Sequence, residues 1–431
     1  MNYYSLNKQA PIASFKEAVV KGLAPDKGLY FPKTILKLTD SFFQKIDELS
    51  YNEIAFEVIK QFVVPEIPEQ DLKLIVEETL CFDFPIVPIN NHISSLELFH
   101  GPTMAFKDVG ARFMSRCLGY FNTDNTKDIT VLVATSGDTG GAVANGFLGV
   151  KGVKVVILYP SGKVSDIQEK QLTTQGKNIK ALEVDGVFDD CQDMVKRAFL
   201  DSEITDKIQI TSANSINVAR WLPQMFYFFF AYKQLHKQHK NIVFSVPSGN
   251  FGNICAGMMA QQLGLPIQHF IAANNSNKVV TTYLETEQYH PKPTIATISN
   301  AMDVGNPSNF VRIQEIYKHN FADLKQNLSS KSYGDNATRE ALKTLYFDYS
   351  YIADPHGAVG YLAAMDYLKE YPNTHCVFLE TAHPTKFLDV VEETIRENID
   401  LPPQIASVMD KKKKAIQISS YDELKAFLLR T

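Results

Sequence analysis

Residues 130–146 read TVLVATSGDTGGAVANG and contain the pattern on which the predicted fold depends. An apolar stretch, Thr130–Ala134, leads directly into a loop of small hydroxyl residues and glycines, and a helical stretch begins at Ala142. A short apolar strand without polar alternation is typical of a strand buried on both faces of a parallel sheet. The stretch therefore predicts one strand–loop–helix unit of an α/β protein.

The same alternation continues through most of the chain. Six further apolar strands are predicted, at Val153–Tyr159, Lys180–Val184, Gln209–Ser212, Asn241–Val246, Ile267–Ala273 and His375–Leu379. Helical patterns lie between several of them, for example at Asp189–Leu200 and Ile254–Leu263, so parallel-rich α/β sheets are expected. Residues 1–90 differ from the rest, because helical patterns dominate there.

The composition argues against several classes of function. The 431 residues are 45% hydrophobic and carry a net charge of −5, so no basic surface for nucleic acid is expected. The apolar run MFYFFFAY at 225–232 is far shorter than the ~20 residues that span a bilayer, and it predicts a buried helix and no membrane contact.

The five cysteines are scattered without a C-x-x-C pair, which argues against a disulfide framework and a structural zinc site. No metal site is expected. The first residues lack the apolar core of a signal peptide, so a cytoplasmic location is expected.

Lys107 is the residue on which the functional interpretation depends. It follows a Gly-Pro break and the apolar triplet 104–106 in HGPTMAFKD, residues 100–108. Apolar surroundings lower the pKa of a lysine, and the neutral amine can form a Schiff base with an aldehyde. The alternative for this lysine, considered alone, is a surface residue at the start of a helix.

Two loops at predicted strand ends are suited to anions. PSGNFGN, residues 247–253, has glycines before a helix and would let backbone N–H groups converge on a phosphate, although an ordinary tight turn is the alternative. It matches neither common nucleotide-binding fingerprint. TSGDTGG, residues 135–141, has three hydroxyl side chains and three glycines and would suit a carboxylate or another small anion.

A third loop, ETAHPTKF at 380–387, follows the last predicted strand. The hydroxyl of Thr381 would donate a hydrogen bond to a neutral ring nitrogen, whereas a carboxylate there would hold the ring protonated. His383 is interpreted as a helix-entry residue with local partners.

These segments together resemble the threonine synthase family, whose members are fold-type II enzymes that depend on pyridoxal phosphate. HGPTMAFKD, TSGDTG, PSGNFGN, ADPHGAVG at 353–360 and ETAHPTKF are similar to family segments and occur in the family's order. The opening segment at 14–32, SFKEAVVKGLAPDKGLYFP, is similar too, and the resemblance is to the longer branch found in fungi and many bacteria.

The resemblance implies a fold-type II architecture of two open, parallel-rich α/β domains and an N-terminal, mainly helical region. The expected bounds are 1–90 for the helical region, 91–110 and 236–431 for the large cofactor-binding domain, and 111–235 for the smaller domain that closes over the substrate. A monomer or homodimer is expected.

The resemblance also implies roles for individual residues. Lys107 would bind pyridoxal 5'-phosphate as a Schiff base, Thr381 would face the ring nitrogen, and Asp138 would lie near the ring hydroxyl. The cofactor phosphate would be bound by Gly249, Asn250, Phe251, Gly252 and Asn253, and the substrate carboxylate by Thr135, Ser136 and Thr139. The phosphate of the substrate would be bound by residues among Lys163, Asn214, Ser215, Asn217 and Arg220, with Arg112 as a further candidate. A surface salt bridge is the alternative for Lys163 and Arg220.

The implied reaction converts O-phospho-L-homoserine and water to L-threonine and phosphate. A phospholyase that releases 2-oxobutyrate, ammonia and phosphate is the nearest alternative. A dehydratase or β-replacement enzyme for serine derivatives, and an inactive binding protein with the same fold, are further alternatives. The missing dinucleotide fingerprint argues against a dehydrogenase.

Overall fold

The strands of the protein form two α/β sheets and a small two-stranded ribbon. The computed structural model describes residues 1–123, 128–135 and 137–430. The strands in these residues are β1 Tyr3–Ser5, β2 Tyr30–Pro32, β3 Ile86–Asn90, β4 Ile93–Glu97, β5 Ile129–Ala134, β6 Val153–Pro160, β7 Ile179–Val184, β8 Gln209–Ser212, β9 Ile242–Pro247, β10 His269–Asn274, β11 Leu328–Ser332, β12 His375–Glu380 and β13 Ala415–Ile418.

Helices cover the faces of the sheets and form most of the N-terminal region. They are α1 Phe15–Lys21, α2 Asp40–Gln44, α3 Tyr51–Val63, α4 Glu69–Thr79, α5 Lys107–Phe121, α6 Asp138–Gly146, α7 Asp166–Thr173, α8 Phe188–Leu200, α9 Ser202–Thr205, α10 Val218–Trp221, α11 Met225–Leu235, α12 Gly252–Gln262, α13 Val279–Thr286, α14 Phe310–Ile316, α15 Phe321–Asn327, α16 Asp335–Tyr349, α17 Pro355–Glu370, α18 Leu388–Ile395, α19 Pro403–Met409 and α20 Tyr421–Arg430. Short 3₁₀ turns cover 222–224, 300–302 and 384–387.

Parallel strands dominate both sheets, as predicted. The six-stranded sheet has the order β11-β10-β9-β12-β4-β3, and only the β3–β4 pair in it is antiparallel. The five-stranded sheet, β13-β7-β6-β5-β8, is parallel throughout. All seven strands expected from apolar runs are present. The α/β class is therefore confirmed, and loops after neighbouring strands meet at one edge of each sheet.

The end of the chain lies with a different sheet from the one expected. Residues 236–431 were expected in the large domain, but β13 pairs with β7 in the five-stranded sheet. Ile418, Leu424 and Leu428 pack in the same apolar cluster as residues of α8. These apolar contacts hold residues 415–430 on the sheet that was expected to consist of 111–235 alone.

The run at 225–232 is buried inside the protein, as predicted. It lies in α11, whose residues from Met225 to Ala231 have no solvent exposure and pack against α3 and α12. No helix in the described ranges is long and apolar enough to cross a membrane.

Gly257 in α12 allows two aromatic rings to approach the helix. A Cβ at this position would lie 2.6 Å from Phe228 Cζ and 2.6 Å from Phe270 Cε1. Both rings are fully buried and pack on Phe244 as well, so they have little room to move.

We expect Gly257→Ala to destabilise the protein by about 1–3 kcal/mol, because overpacking of this core outweighs the gain of up to ~1 kcal/mol in helix propensity. Urea unfolding measures the change, with Gln262→Ala on the partly exposed face of the same helix as the control. A more stable Gly257→Ala variant would contradict the close packing.

Candidate active site

Lys107 is attached to the loop that follows β12. Phe106 N donates to Thr381 O at 2.9 Å, and His383 N donates to Met104 O at 3.1 Å. Ala105 also forms an isolated antiparallel β-bridge with Ala382, the residue after Thr381. These backbone bonds bring Lys107 and Thr381, predicted separately from two distant segments, to the same place.

The backbone before Lys107 has an unusual conformation. Met104 has a φ of 57°, in the left-handed region that a residue with a side chain seldom adopts. The hydroxyl of the buried Tyr227 donates to Phe106 O. Such strain persists only where the surrounding structure imposes it, so the position of the lysine at the start of α5 is tightly specified.

Burial favours a neutral amine at Lys107. Burial lowers the pKa of Lys107, and the positive charges of Lys386 and Arg220 lower it further, while Asp138 and Asp354 oppose the shift. The residue as a whole is half-buried. The neutral amine is the protonation state that attacks an aldehyde.

Asp138 forms a buried ion pair that the sequence analysis missed. Lys386 Nζ lies 2.6 Å from Asp138 Oδ1 and donates to Thr103 O at 2.9 Å, and its side chain has no solvent exposure. Gln168 Nε2 donates to the same carboxylate at 3.0 Å. Burial opposes ionisation of Asp138, but the charge of Lys386, joined by that of Lys107 when this amine is protonated, outweighs burial and holds the pKa of Asp138 well below the usual range.

The glycine loop after β9 has the form expected of a phosphate site. Phe251 adopts the left-handed conformation with φ 60°, and α12 starts at the next residue with its free N–H groups. A Cβ on Gly249 would lie 2.7 Å from Ala301 O, so this turn requires glycine. Asn250 is exposed, and its Oδ1 accepts from Ser308 Oγ at 3.1 Å.

Asn253 supports this loop from the inside. Its Nδ2 donates to Pro247 O at 2.8 Å, across the turn from the end of β9. Among the five predicted phosphate residues, it is therefore the one whose side chain holds the loop in shape, while backbone N–H groups remain for the anion.

The loop after β5 uses one of its hydroxyl groups internally. Thr135 Oγ1 accepts from Gly137 N at 3.0 Å and from Gly140 N at 2.8 Å, so it stabilises the turn into α6. Thr139 is half-buried at the start of that helix. Ser136 lies outside the described residues.

Arg220 is the predicted substrate residue with the environment of an anion site. Its side chain is buried, Nη1 donates to Ala213 O at 2.7 Å, and Nε has no hydrogen-bond partner among the described residues. Burial lowers the pKa of Arg220 to about 10. A Cβ on Gly110, one turn after Lys107 in α5, would lie 3.1 Å from Nε, so the guanidinium packs beside the first turn of that helix.

The other predicted phosphate residues have different surroundings. Asn217 caps α10, and its Nδ2 donates to Val19 O and Ser212 O, which leaves no donor for an anion. Ser215 Oγ accepts from Asn309 Nδ2 at 2.9 Å, and Asn214 Nδ2 donates to Ala134 O at 3.2 Å. Lys163 is exposed.

Arg112 and His383 have structural partners. Arg112 donates to backbone carbonyls at the end of α4, including Thr79 O at 3.3 Å, so it binds the N-terminal region to α5. His383 caps the 3₁₀ turn at 384–387 and accepts from Thr385 N at 3.2 Å, in agreement with its interpretation as a helix-entry residue.

The comparisons with known proteins agree with this geometry. Threonine synthase of Buchnera aphidicola subsp. Acyrthosiphon pisum is 42% identical to the chain over 432 residues, covering 100% of both. The chain belongs to the threonine synthase family. Family models described as "Threonine synthase N terminus", "Pyridoxal-phosphate dependent enzyme" and "Threonine synthase, C-terminal" match residues 2–80, 93–382 and 357–428.

Solved structures of threonine synthases have the same fold. The Escherichia coli enzyme superposes with a TM-score of 0.94 at 40% identity, covering 100% of both chains. The Brucella melitensis enzyme, described as bound to PLP, gives 0.93 at 33% identity and covers 100% of this chain and 99% of its own. The fold-type II class and the dependence on pyridoxal 5'-phosphate are thereby confirmed for this threonine synthase family member.

The residues of the chain fit this cofactor. A lysine with a lowered pKa lies on the loop that is hydrogen-bonded to Thr381, and a glycine loop at the start of α12 follows the neighbouring β9. These features supply an amine for the aldehyde and N–H groups for the phosphate.

We expect opposite pKa changes at Lys107 in two variants of the buried ion pair. Asp138→Asn removes a negative charge and lowers the pKa of Lys107, whereas Lys386→Met removes a positive charge and raises it. The pKa of Lys107 is measured as the midpoint of the pH dependence of the rate at which cofactor-free protein reacts with pyridoxal phosphate.

Asp166→Asn is the matched control, because it removes the same charge from an exposed position at the start of α7. Shifts of the same sign in Asp138→Asn and Lys386→Met would contradict the assigned electrostatics.

Proposed function

We propose that the protein converts O-phospho-L-homoserine and water to L-threonine and phosphate. The observation that carries this proposal is the buried guanidinium of Arg220, which forms no ion pair with a described carboxylate and lies beside the first turn of α5. A substrate with its own phosphate needs an anion site besides the cofactor cradle, and arginine binds phosphate in a bidentate manner.

Lys107 would hold the cofactor and act as the base. When bound, pyridoxal phosphate withdraws electrons from the substrate and makes its Cα proton acidic. A lysine whose pKa is lowered by burial can accept that proton near neutral pH. Asp138 and Lys386 place two opposite charges beside Lys107, and their effects on its pKa partly cancel.

Thr381 would face the ring nitrogen as a hydrogen-bond donor. A hydroxyl leaves that nitrogen neutral, which disfavours storage of negative charge in the ring and favours loss of a leaving group from the substrate side chain. Arg220 would bind the substrate phosphate and keep it after the bond to Cγ breaks. Loss of a Cβ proton would accompany departure of phosphate from Cγ, and protonation of Cγ, addition of water at Cβ and return of a proton to Cα would complete the reaction.

Product analysis tests the proposal directly. Purified protein with pyridoxal phosphate is supplied with O-phospho-L-homoserine, and threonine, phosphate, 2-oxobutyrate and ammonia are quantified. Threonine and phosphate in equal amounts are expected. Formation of 2-oxobutyrate and ammonia would instead establish the phospholyase, and no turnover would exclude both activities.

The assignment of Lys107 has its own test. We expect Lys107→Ala to lose the visible absorption of the lysine-bound cofactor and all turnover, because alanine has no amine to form the Schiff base. A variant that keeps the wild-type absorption band would show that another amine binds the aldehyde.

A pair of matched substitutions distinguishes Arg220 from Lys163. We expect Arg220→Gln to raise KM for O-phospho-L-homoserine about 10- to 100-fold, since hydrogen bonds to charged groups contribute roughly 1.5–3 kcal/mol. Lys163→Gln, at an exposed site, is expected to change KM little. Cofactor absorbance serves as the control for intact binding, and the reverse order of effects would contradict the assignment.

A further inference from the structure

Three buried titratable residues lie behind the loop that contains Thr381, and the reaction described above does not use them. They are Asp354 at the N-cap of α17, His356 in its first turn, and Glu380 at the end of β12. Asp354 and Glu380 have no solvent exposure, and His356 has 2%. Buried polar groups are unfavourable unless they form hydrogen bonds, so the partners of these three residues show which segments of the chain the cluster connects.

Asp354 is bonded to both chain neighbours of Thr381. Its Oδ2 accepts from Ala382 N at 3.1 Å, and its own N–H donates to Glu380 Oε1. Thr381 O in turn accepts from Phe106 N, directly before Lys107. A cap of a helix needs only an oxygen that accepts from its first N–H groups. The contact from Asp354 to residue 382 is additional, and it joins the cap to the cofactor loop.

His356 connects the same carboxylate to the opposite side of the site. Its Nε2 accepts from Ala301 N at 3.1 Å, so the ring proton lies on Nδ1, which donates to Asp354 Oδ1 at 2.6 Å. Ala301 O is the atom that crowds Gly249 in the predicted phosphate cradle. A continuous path of contacts therefore runs from the cradle to the loop with Thr381.

Glu380 provides a neutral neighbour for this carboxylate. Burial and the charge of Asp354 raise the pKa of Glu380 well above its usual range. A Cβ on Gly357 would lie 1.5 Å from Glu380 Oε2, so the first turn of α17 packs directly on the acid.

We propose that Asp354 is a positioning residue that orients Thr381 towards the ring of the cofactor and, through His356, holds the phosphate cradle at a fixed distance from it. The proposal rests on the cofactor contacts assigned under the proposed function. The charge of Asp354 also acts on the nitrogen of Lys107, together with the charges of Asp138, Lys386 and Arg220.

Asp354→Asn tests the proposal in the full-length protein. Asparagine keeps Oδ1 for the helix cap and for His356 Nδ1, but its Nδ2 cannot accept from Ala382 N as Oδ2 does. We expect the affinity for pyridoxal phosphate to fall about tenfold, the effect of losing one buried hydrogen-bond acceptor. The visible band of the lysine-bound cofactor should titrate at lower pH, because a negative charge near the Lys107 nitrogen is gone.

The control is Asp366→Asn on the same helix. Asp366 lies in the second half of α17 and accepts hydrogen bonds from Tyr333 and Lys369. Its loss is therefore expected to affect stability but neither the affinity for the cofactor nor the pH at which the visible band of the cofactor titrates. The other charged groups near Lys107 are unchanged in both variants. A lower unfolding temperature in Asp354→Asn with unchanged affinity and titration midpoint would reduce Asp354 to a helix cap and overturn the proposal.

A second variant applies if Asp354→Asn does not fold. His356→Phe retains the ring packing on Phe387 but removes the bonds to Ala301 N and to Asp354 Oδ1. It should weaken cofactor binding, whereas the titration midpoint should equal that of the wild type, because the carboxylate of Asp354 is retained. Unchanged affinity would contradict the path to the cradle. These readouts use cofactor binding alone, so they are independent of whether threonine or 2-oxobutyrate is the product.

Discussion

The buried ion pair of Asp138 and Lys386 is the interaction on which the site depends. Asp138 starts α6 after β5 of the five-stranded sheet, whereas Lys386 follows β12 of the six-stranded sheet. Removal of both charges from water is unfavourable unless hydrogen bonds compensate, and Gln168 and Thr103 supply these bonds. The pair therefore joins the loops of two separate sheets beside Lys107, and neither sheet alone contains the complete site.

The loops of the site could be predicted from the sequence because each is a local pattern. A strand end followed by glycines and hydroxyl residues identified the loops at 135–141 and 247–253, and apolar neighbours identified Lys107. Lys386 was missed although it lies in the quoted segment ETAHPTKF. Its importance comes from burial against Asp138 in another sheet, and no local pattern contains that information.

The same reasoning explains the uneven outcome among the residues predicted for the substrate phosphate. Helical spacing grouped Asn217 with Arg220, but spacing does not show which backbone carbonyls lie nearby. The donors of Asn217 are taken by Val19 O and Ser212 O, while no residue that the structure describes accepts from Arg220 Nε. In the two α/β sheets, the strands that were not predicted are β3, β4, β11 and β13. They lie at or next to sheet edges and carry polar residues, so they lack the continuous apolar run of a central strand.

The position of β13 has a consequence for the synthesis of the chain. Its partner β7 is made more than half a chain earlier, and the apolar residues of α8 that face α20 are made at about the same time as β7. One edge of the five-stranded sheet therefore stays open on the ribosome until residues 415–430 emerge. Contacts of such long sequence separation form slowly, and an unpaired edge can pair with another chain meanwhile. Loss of the last two elements would harm folding yield before it affected the chemistry at Lys107.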